Sequence, residues 1–449
     1  MENPPNVLFI LSDQQRWDSV DCYGRPIFPG LTPNLDRMAS DGVMFRHTFT
    51  CQPVCGPARS CLQTGQFATR TGCFTNWRGL PADSRTIAHG MKDAGYDTAY
   101  IGKWHLAGHW EDYVASGVAT APVPIEQRGG YEDYWLAAEA LEFTSHGYEG
   151  YLFDGDNNRV DFEGYRPDRQ TDFALAYLRD HQATAAETPF FLFLSYIEPH
   201  HQNDLNRYIG PIGSKERFKE YTVPGDLAGH QGFWEKQLPD YLGCCWSLDQ
   251  NVGRIFDALD ELGIRDNTLV IYTSDHGDHF GTRNDESKRS PHDSSIRVPF
   301  LAEGPGFRGG RVIEEMVSLI DLPPTVLAAG GADVPGAMDG RPVQDLVDGT
   351  AADWPEEAFI QISETGVGRA IRTRRWKYAV LAPHGDGRED SGSDRYVESE
   401  LYDLDRDPHE WDNRVADASL AEVRQDLAAR LVERMKQAAE PEPEIEPAT

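Results

Sequence analysis

One short segment, Cys55 to Arg59 (CGPAR), combines a thiol with an arginine. A deprotonated cysteine is both a nucleophile and a metal ligand, so this segment is the first candidate for chemistry. Two alternatives remain open from the residues themselves. Cys55 could be a buried free thiol, the ordinary state of cysteine in protein interiors. It could also join Cys51 and Cys61 in a thiolate metal site, although structural zinc sites pair Cys-x₂₋₄-Cys elements and no convincing second pair is present.

Other polar side chains with catalytic or metal-binding chemistry follow apolar runs of the sequence. They are Asp13, His200, Asp275 and His276. The runs before them, at residues 7–11, 190–196 and 268–272, are continuous and apolar, which predicts strands buried on both faces of a parallel sheet. Ligands bind beyond the carboxyl ends of the strands in such sheets. The sequence therefore predicts a site at this edge.

Helical patterns lie between these strands. Thr32 has the residue type of an N-cap, with Pro33 as the first helical residue. Residues 86–94 have helical spacing and are followed by a short strand at 98–101. Further helices are predicted at residues 173–180 and at about 240–262, where apolar side chains recur on one face.

This alternation predicts an α/β fold with a large, mostly parallel sheet flanked by helices. After about residue 350, short strand patterns at 358–362, 369–373 and 376–381 follow one another, and a helix is predicted at 420–435. We predict a catalytic α/β domain over residues 1–350 and a smaller C-terminal subdomain, with antiparallel strands and a terminal helix, over residues 351–449. The final segment, PEPEIEP, is predicted to be disordered.

The composition excludes some classes of partner. The chain has 449 residues, 39% of them hydrophobic, and a formal net charge of −31. An acidic surface repels nucleic acids and anionic membranes, so neither is an expected partner. It also repels anionic substrates, which would need basic residues gathered in a pocket. Seven cysteines in a chain of this length do not indicate a secreted disulfide framework, and the run at 7–11 is too short for a signal peptide or a membrane span, so we expect a cytoplasmic protein.

The segment Cys55 to Arg59 matches the Cys-x-Pro-x-Arg signature of the sulfatase family, which belongs to the alkaline-phosphatase-like superfamily. Further segments resemble the family in the same order along the chain. They are residues 32–36 (TPNLD), 60–72 (SCLQTGQFATRTG), 102–105 (GKWH), 288–299 (KRSPHDSSIRVP) and 400–404 (ELYDL), the last followed by Asp407-Pro408. A lone Cys-x-Pro-x-Arg signature would be weak evidence for the family, but a set of matching segments in the same order is specific evidence. The sequence is identified as a member of the sulfatase family.

The resemblance implies that a formylglycine-generating enzyme oxidises Cys55 to formylglycine. The hydrated aldehyde carries two hydroxyls on one carbon. One hydroxyl, activated by a metal ion, attacks sulfur and displaces the alcohol. The second hydroxyl then loses its proton, the C–O bond breaks and sulfate leaves. The implied activity is that of a sulfuric ester hydrolase acting on a small organic sulfate.

The resemblance also implies a metal site. Its ligands would be Asp13, Gln14, the modified Cys55, Asp275 and His276. Oxygen ligands suit Ca²⁺ or Mg²⁺. The imidazole of His276 is a softer ligand, which makes Mn²⁺ an alternative. We expect Ca²⁺, with Mn²⁺ or Mg²⁺ as alternatives. Many sulfatases have Asp and Asn where this chain has Gln14 and His276, and the exchange resembles a subset that includes choline sulfatases and phosphonate monoester hydrolases.

The resemblance implies roles at the sulfate group for three cationic side chains. Lys103 and Lys288 would bind it, and Arg59 would hold the nucleophile and the metal ligands in place. Asn76 lies where related hydrolases place an amide near the transferred group. His292 is expected to face the non-sulfated part of the substrate.

Histidines are implied to transfer the protons. His105 would accept the proton of the second hydroxyl, and His200, together with Lys288, would protonate or polarise the leaving oxygen. The run at 199–203 (PHHQN) lacks the second proline of the family's Pro-His-x-Pro, so His201 remains an alternative to His200. Otherwise His201 is expected to contact the substrate.

A sulfated carbohydrate is the preferred substrate, with choline sulfate and aryl sulfates as alternatives. A phosphonate monoester or phosphodiester hydrolase on the same fold is the main rival. Those relatives tend to replace the Lys and His of the GKWH element with uncharged groups, so Lys103 and His105 favour sulfate. A hypothesis of a different class is a non-catalytic receptor for sulfated glycans in which Cys55 stays unmodified.

Overall fold

The computed structural model describes residues 4–24, 26–108 and 117–448. These residues form a central sheet of twelve strands. The strands are β1 Asn6–Asp13, β2 Val43–Phe49, β3 Asp97–Lys103, β4 Tyr134–Ala138, β5 Ser145–His146, β6 Glu149–Asp154, β7 Arg159–Glu163, β8 Phe190–Pro199, β9 Thr268–Ser274, β10 Arg297–Val298, β11 Phe300–Glu303 and β12 Arg311–Ser318. Their order is β10-β2-β11-β9-β1-β8-β3-β4-β6-β5, with β12 also paired to β2 and β7 to β6.

The centre of this sheet is parallel and contains β1, β8 and β9, the strands that the apolar runs predicted. β1 pairs with β8 on one side and with β9 on the other, and β3 pairs with β8 and β4. Alternate residues of β1 enter different core layers, Val7 and Phe9 on one face and Leu8 and Ile10 on the other. A strand covered on both faces needs apolar residues at every position, which explains the continuous run.

The margins of the sheet contain antiparallel pairs, although β12 runs parallel to β2, and the sequence analysis did not predict these strands. β11 runs antiparallel to both β9 and β2, while β6 runs antiparallel to β4 and β7. Short connections such as residues 155–158, between β6 and β7, can join only antiparallel neighbours. The predicted fold class, a large sheet flanked by helices with a smaller C-terminal sheet, is confirmed.

Helices cover both faces of the central sheet. They are α1 Pro33–Asp41, α2 Cys55–Thr64, α3 Ala68–Thr71, α4 Ile87–Asp93, α5 Leu141–Thr144, α6 Arg166–Thr184, α7 Ser214–Arg217, α8 Trp234–Glu261, α9 Asp293–Ile296, α10 Leu322–Ala329, α11 Gln344–Asp348 and α12 Ala421–Gln437. Apolar residues of α1, α6 and α8 pack on one face, and those of α2, α4 and α10 pack on the other. Each helix predicted from the sequence is present, with longer bounds for α6 and α8.

A second sheet follows in the C-terminal part of the chain. Its strands are β13 Glu357–Ile362, β14 Gly368–Thr373, β15 Trp376–Leu381, β16 Arg395–Asp403 and β17 Glu444–Glu446. The first four are antiparallel, and β17 pairs in parallel with β16. This last strand corrects the prediction of a disordered tail. Ile445 packs against the hydrophobic core, and Arg395 Nη2 donates to Glu446 Oε2 at 2.9 Å, so these contacts order a segment whose composition suggested disorder.

The two sheets are packed together. Phe359 and Ile371 of the second sheet belong to the same apolar cluster as Phe9 of the central sheet. The domain boundary at residue 350 stays a prediction. Among the described residues, no helix has the length and apolar character needed to cross a membrane.

Candidate active site

The carboxyl ends of four adjacent parallel strands carry the polar residues on which the site is built. Asp13 ends β1, Lys103 ends β3, His200 follows β8 and Asp275 follows β9. The strand register places Asp13 beside Pro199, and the β1–β9 pairing continues to Ser12 and Ser274. These side chains, far apart in the sequence, therefore meet at one edge of the sheet, where ligand sites of parallel sheets lie.

Cys55 faces this edge from the start of α2. Its Sγ lies 2.9 Å from Lys288 Nζ, 3.2 Å from His276 Nε2 and 3.5 Å from Asp13 Oδ1. Burial disfavours the thiolate, but Lys288, Lys103 and His276 together lower the pKa of Cys55 well below its ordinary value. The environment at position 55 is thus built to hold a negatively charged or strongly polarised group.

A cluster of potential metal ligands surrounds this sulfur. Ligand atoms of Asp13, Cys55, Asp275 and His276 lie within 4.8 Å of one another, and all four residues are buried. Gln14 directs its Nε2 to Asp278 Oδ2 at 2.7 Å, which turns its Oε1 toward Lys288 Nζ at 3.1 Å. The backbone of Gln14 has a φ of 69°, a left-handed conformation that is unusual for this residue type and typical of functional sites.

The chemistry of this donor set fits a divalent cation. Burial and the neighbouring Asp13 raise the pKa of Asp275, because two carboxylates so close together repel one another without a cation between them. His276 Nδ1 lies 3.0 Å from the carbonyl oxygen of Gly277, so an Nδ1–H donates there and leaves the Nε2 lone pair facing the cluster. The residues predicted as metal ligands could therefore hold such an ion.

Arg59 lies one turn into α2 and connects both carboxylates. Its Nη2 is 3.0 Å from Asp13 Oδ2 and its Nε is 3.3 Å from Asp275 Oδ2. Its Nη1 donates to the carbonyl oxygen of Lys103 and to Ser195 Oγ, at 2.9 and 2.7 Å. The side chain is 2% exposed, so Arg59 fixes the ligand cluster from beneath and is not a surface residue free to meet substrate.

Lys103 reaches the same cluster from the end of β3. Its Nζ lies 2.9 Å from Asp13 Oδ2 and 3.4 Å from Glu142 Oε2, and the side chain is fully buried. Gly102 precedes it with a φ of 111°, and a Cβ there would lie 1.9 Å from the carbonyl oxygen of Ser195. Only glycine fits this close approach of β3 to β8, so Gly102 sets the direction in which Lys103 leaves the strand.

A cavity of about 300 Å³ opens over Cys55. It is lined by Cys55, Asn76, His105, Glu142, His200, His201, Asn203, Asn206, Phe233, Gln237, Asp285, Glu286, Ser287, Lys288 and Arg289. Most of these residues are polar and can form hydrogen bonds to hydroxyl groups, and the volume suits a small molecule. Of the predicted catalytic residues, Cys55, His105, His200 and Lys288 line this cavity, whereas Arg59 and Lys103 lie behind it.

His200 and His201 stack on each other at the cavity wall, with ring centroids 4.7 Å apart. His200 Nδ1 is 2.6 Å from the carbonyl oxygen of His201, which leaves Nε2 as its second functional atom. Burial, followed by the proximity of His200 and Lys288, lowers the pKa of His201 well below its ordinary value. His201 is therefore neutral at pH 7 and a poor proton donor, which favours His200 for that role.

His105 is held in the cavity wall by Glu139, a buried residue that the sequence analysis missed. The carbonyl oxygen of Glu139 accepts from His105 N at 2.7 Å. The Glu139 carboxylate accepts from the backbone N–H groups of Leu106, Ala107 and Gly108 at 3.2, 3.0 and 3.0 Å. The backbone of His105 has a φ of 60°, and these hydrogen bonds fix the turn at residues 105–108. No sequence signal near Glu139 indicated this role, because the strand before it was not predicted.

Asn76 lines the cavity, but its amide also stabilises α2. Its Oδ1 accepts from Gly56 N at 2.8 Å and so caps the first turn, where Val54 offers no side-chain acceptor. Glu364, in the connection between β13 and β14, accepts from Asn76 N at 2.7 Å. It also pairs with Arg289, another cavity residue that the sequence analysis missed.

His292 does not line this cavity. Its Nδ1 lies 3.2 Å from Ser290 Oγ and its Nε2 lies 3.3 Å from the hydroxyl oxygen of Tyr402, and the residue is buried between the two sheets. These contacts join β16 to the segment before α9. The geometry gives His292 a structural position, and the predicted contact with substrate stays a prediction.

Glu142 is one of three acidic residues of the cavity, with Asp285 and Glu286, that the sequence analysis did not single out. Its carboxylate pairs with Lys103. Burial raises the pKa of Glu142, but Lys103, His200 and His105 lower it by more, so the pKa falls to about 2. A permanent negative charge therefore stands in the cavity wall beside a lysine. The residue lies in α5, after the unpredicted strand β4, so no motif marked it.

Replacement of Arg59 tests the charge balance of the ligand cluster. In Arg59→Ala, two buried carboxylates lose a shared cation, and we expect the free energy of unfolding to fall by about 3–5 kcal/mol. Chemical denaturation of the metal-free protein measures this change. The control is Arg308→Ala, which removes an exposed guanidinium paired with Asp266. Equal stability of the two variants would show that Arg59 does not balance these carboxylates.

Comparisons with known proteins identify relatives of this chain. Over 418 residues, the chain is 30% identical to the ulvan-active sulfatase of Formosa agariphila, covering 88% of this chain and 77% of that protein. It is 26% identical over 510 residues to the N-acetylglucosamine-6-O-sulfatase of Bacteroides thetaiotaomicron, covering 98% and 88%. The crystal structure of the putative sulfatase yidJ from Bacteroides fragilis shares the fold, with a TM-score of 0.82 and 24% identity over 98% of both chains.

Two family profiles cover most of the chain. The profile of the N-sulphoglucosamine sulphohydrolase C-terminal region matches residues 285–437. The Sulfatase profile matches residues 5–332, a range that includes the strand ends, the ligand cluster and the cavity described above. The chain therefore belongs to the sulfatase family, a family of sulfuric ester hydrolases.

Proposed function

We propose that this protein removes sulfate from a sulfated carbohydrate and that residue 55, as a formylglycine hydrate, is the nucleophile. The observation that carries the proposal is the position of Cys55. It lies with Asp13, Asp275 and His276 in one buried ligand cluster, directly beneath a polar cavity. The required modification implies a formylglycine-generating enzyme as a maturation partner.

The cavity supports a carbohydrate as the organic part of the substrate. Asn203, Asn206 and Gln237 line it with amide groups that can both donate to and accept from sugar hydroxyls. Phe233 adds an apolar ring against which a sugar face can pack. A cavity of about 300 Å³ has room for one sugar ring with its sulfate group, which supports a small substrate over a polymer segment bound along its length.

Ca²⁺ is the ion that we propose for the ligand cluster, with Mn²⁺ or Mg²⁺ as alternatives. Asp13, Gln14 and Asp275 offer oxygen atoms, which calcium prefers, while the imidazole of His276 leaves a transition ion as a second choice. When bound, a divalent cation would polarise the sulfate group and favour ionisation of the nucleophile.

Lys288 and Lys103 neutralise the charge that develops on the sulfate group. Lys288 Nζ borders the cavity and already contacts Cys55, Gln14 and His276. Lys103 acts from behind the cluster through Asp13, which it holds as an anion. Gathering fixed positive charge at the site overcomes the repulsion that a chain of net charge −31 exerts on an anion.

Two histidines transfer the protons in this scheme. One hydroxyl of residue 55 first ionises and releases its proton to solvent. The resulting alkoxide attacks sulfur, the S–O bond to the sugar breaks, and His200 gives its Nε2 proton to the departing oxygen. His105 then takes the proton of the remaining hydroxyl as the bond from carbon to the sulfate oxygen breaks. The aldehyde is restored and free sulfate leaves, so no water attacks sulfur directly.

A phosphonate monoester or phosphodiester hydrolase is the alternative on the same fold. The retention of Lys103 and His105, which such relatives tend to replace with uncharged groups, favours sulfate. The buried ion pair of Lys103 with Asp13 gives this lysine a defined role in the site.

The substrate class is tested by measuring sulfate release from sulfated monosaccharides, choline sulfate, an aryl sulfate and a phosphonate ester. We expect the highest kcat/KM with a sulfated monosaccharide and no turnover by Cys55→Ala, which lacks the nucleophile. Intact-protein mass spectrometry of the same preparation should show residue 55 as formylglycine. Full activity in a preparation whose Cys55 is an unmodified thiol would overturn the mechanism.

The assignment of the proton donor is tested by the dependence of rate on the leaving group. His200→Ala should lower kcat/KM for an alkyl or sugar sulfate by about 10²–10⁴-fold, because a poor leaving group needs the proton. The loss should be much smaller for an aryl sulfate, whose oxygen leaves unprotonated. His201→Ala is the matched control, since it removes the stacked neighbour. If only His201→Ala shows the leaving-group dependence, the roles of the two histidines are reversed.

Metal dependence is tested by chelation and restoration. We expect chelator-treated protein to lose sulfatase activity and to melt at a lower temperature, because a ligand that binds only the folded state stabilises it. Addition of Ca²⁺ should restore the melting temperature of the wild-type protein but not of Asp275→Asn, which loses a charged ligand. A melting temperature that changes neither with chelator nor with Ca²⁺, Mn²⁺ or Mg²⁺ would argue against a metal site at the ligand cluster.

A further inference from the structure

A second cavity, of about 540 Å³, lies between the residues that follow β1 and the C-terminal sheet. Five of its lining residues are arginines, namely Arg16, Arg46, Arg297, Arg372 and Arg374. We call it the arginine cavity. Among the described residues, it shares no lining residue with the cavity over Cys55. In a chain with a net charge of −31, this concentration of cations calls for an explanation.

Carboxylates that line the same cavity are already engaged. They are Asp18, Asp226, Asp293 and Glu410. Arg16 binds the first two, with Nη2 2.7 Å from Asp18 Oδ2 and Nη1 2.8 Å from Asp226 Oδ2. Arg372 Nη2 lies 2.9 Å from Asp293 Oδ2, and the buried Lys377 pairs with Glu410. Of the other arginines, Arg46 pairs with Glu314, with its Nε 2.7 Å from Oε1, and Arg374 Nη2 donates to the carbonyl oxygen of Glu314 at 2.5 Å.

Arg297 has no carboxylate at ion-pair distance within the part of the chain that the structure describes. Its guanidinium carbon lies 3.8 Å from the centre of the Trp17 ring, and its Nη2 donates to the carbonyl oxygen of Arg46 at 2.7 Å. Its Nε is buried and has no hydrogen-bond partner among the described residues. Burial and the nearby Arg372 lower the pKa of Arg297 to about 10, so it remains a cation at neutral pH.

A second donor in the cavity wall is also unpaired. Ser294, at the second position of α9, is 5% exposed and lines the cavity, and within the described ranges its Oγ has no hydrogen-bond partner. Buried polar atoms in native proteins are nearly always satisfied. Ser294 and Arg297 line the same cavity, so their unpaired donors are available to a ligand that accepts hydrogen bonds. An oxyanion is the acceptor that arginine recognises best.

We propose that the arginine cavity is a non-catalytic binding site for an oxyanion, the sulfate or carboxylate group of an acidic sugar. Arg297 and Ser294 bind the anion in the interior, and Arg374, which is exposed, binds it at the rim. The volume exceeds that of a single sulfate ion, which leaves room for an attached sugar ring. Free inorganic sulfate has the same chemistry and is the other source of such a ligand. The proposal does not depend on the modification of Cys55.

Calorimetric titration of the full-length chain tests this site. All variants carry Cys55→Ala, so that a sulfated sugar is not hydrolysed, and Lys288→Ala is added to weaken anion binding in the cavity over residue 55. The probes are inorganic sulfate, a sulfated monosaccharide and its desulfated form. We expect this double variant to retain one binding event for a sulfated probe, and addition of Arg297→Ala to weaken it by about tenfold or more, because a charge-assisted hydrogen bond is lost.

The control is Arg308→Ala in the same background, which removes an equal charge from the surface and should leave binding unchanged. Arg374→Ala should also weaken binding of the sulfated probe. It replaces Arg297→Ala in the test if the melting curve shows that Arg297→Ala does not fold. Binding of both inorganic sulfate and the sulfated sugar shows that the oxyanion suffices, and binding of the sugar alone shows that the ring is also recognised. Absence of binding in the double variant, or binding that neither arginine substitution weakens, overturns the proposal.

Discussion

The burial of negative charge at one edge of the sheet is the constraint on which the rest of the structure depends. Asp13 and Asp275 are fully buried within 4.8 Å of each other and of Cys55, a state that is costly unless cations neutralise it. Arg59 contacts both carboxylates, and lysines approach from two sides. The same positive charge that stabilises these anions in the folded protein is what a sulfate ester needs during hydrolysis, so stability and function share one set of residues.

The architecture follows from the need to hold these groups rigidly. Parallel strands β9, β1, β8 and β3 end at one edge, and α2 places Cys55 over that edge with Arg59 on the inner side of the helix. The whole of α2 is buried, so the nucleophile cannot move with the surface. Unusual backbone conformations at Gln14 and His105 occur where the chain leaves β1 and β3. Strain at these points is tolerated because the central strands on either side are fixed by core packing.

The C-terminal sheet completes both cavities. Glu364 supports Asn76 and Arg289 at the cavity over Cys55, and Arg372 with its neighbours forms one wall of the arginine cavity. Each cavity contains cationic side chains among carboxylates, Lys288 and Arg289 in the cavity over Cys55 and five arginines in the arginine cavity. Because charge effects are strongest where water is excluded, a few buried cations can attract an anion that the overall charge repels.

The sequence by itself determined the centre of the fold and predicted several residues that the structure brings together at the ligand cluster and the cavity over Cys55. Continuous apolar runs identified the central strands, since only strands covered on both faces require them, and the ordered motifs identified the family. The tertiary structure alone decided the antiparallel margins, the ordering of Ile445 in a final strand, the position of His292 away from the cavity and the roles of Glu139 and Glu142. These features depend on contacts between segments far apart in the chain, which periodicity within a segment cannot reveal. The arginine cavity is of the same kind, because its arginines come from separate segments and each one alone is an ordinary charged residue.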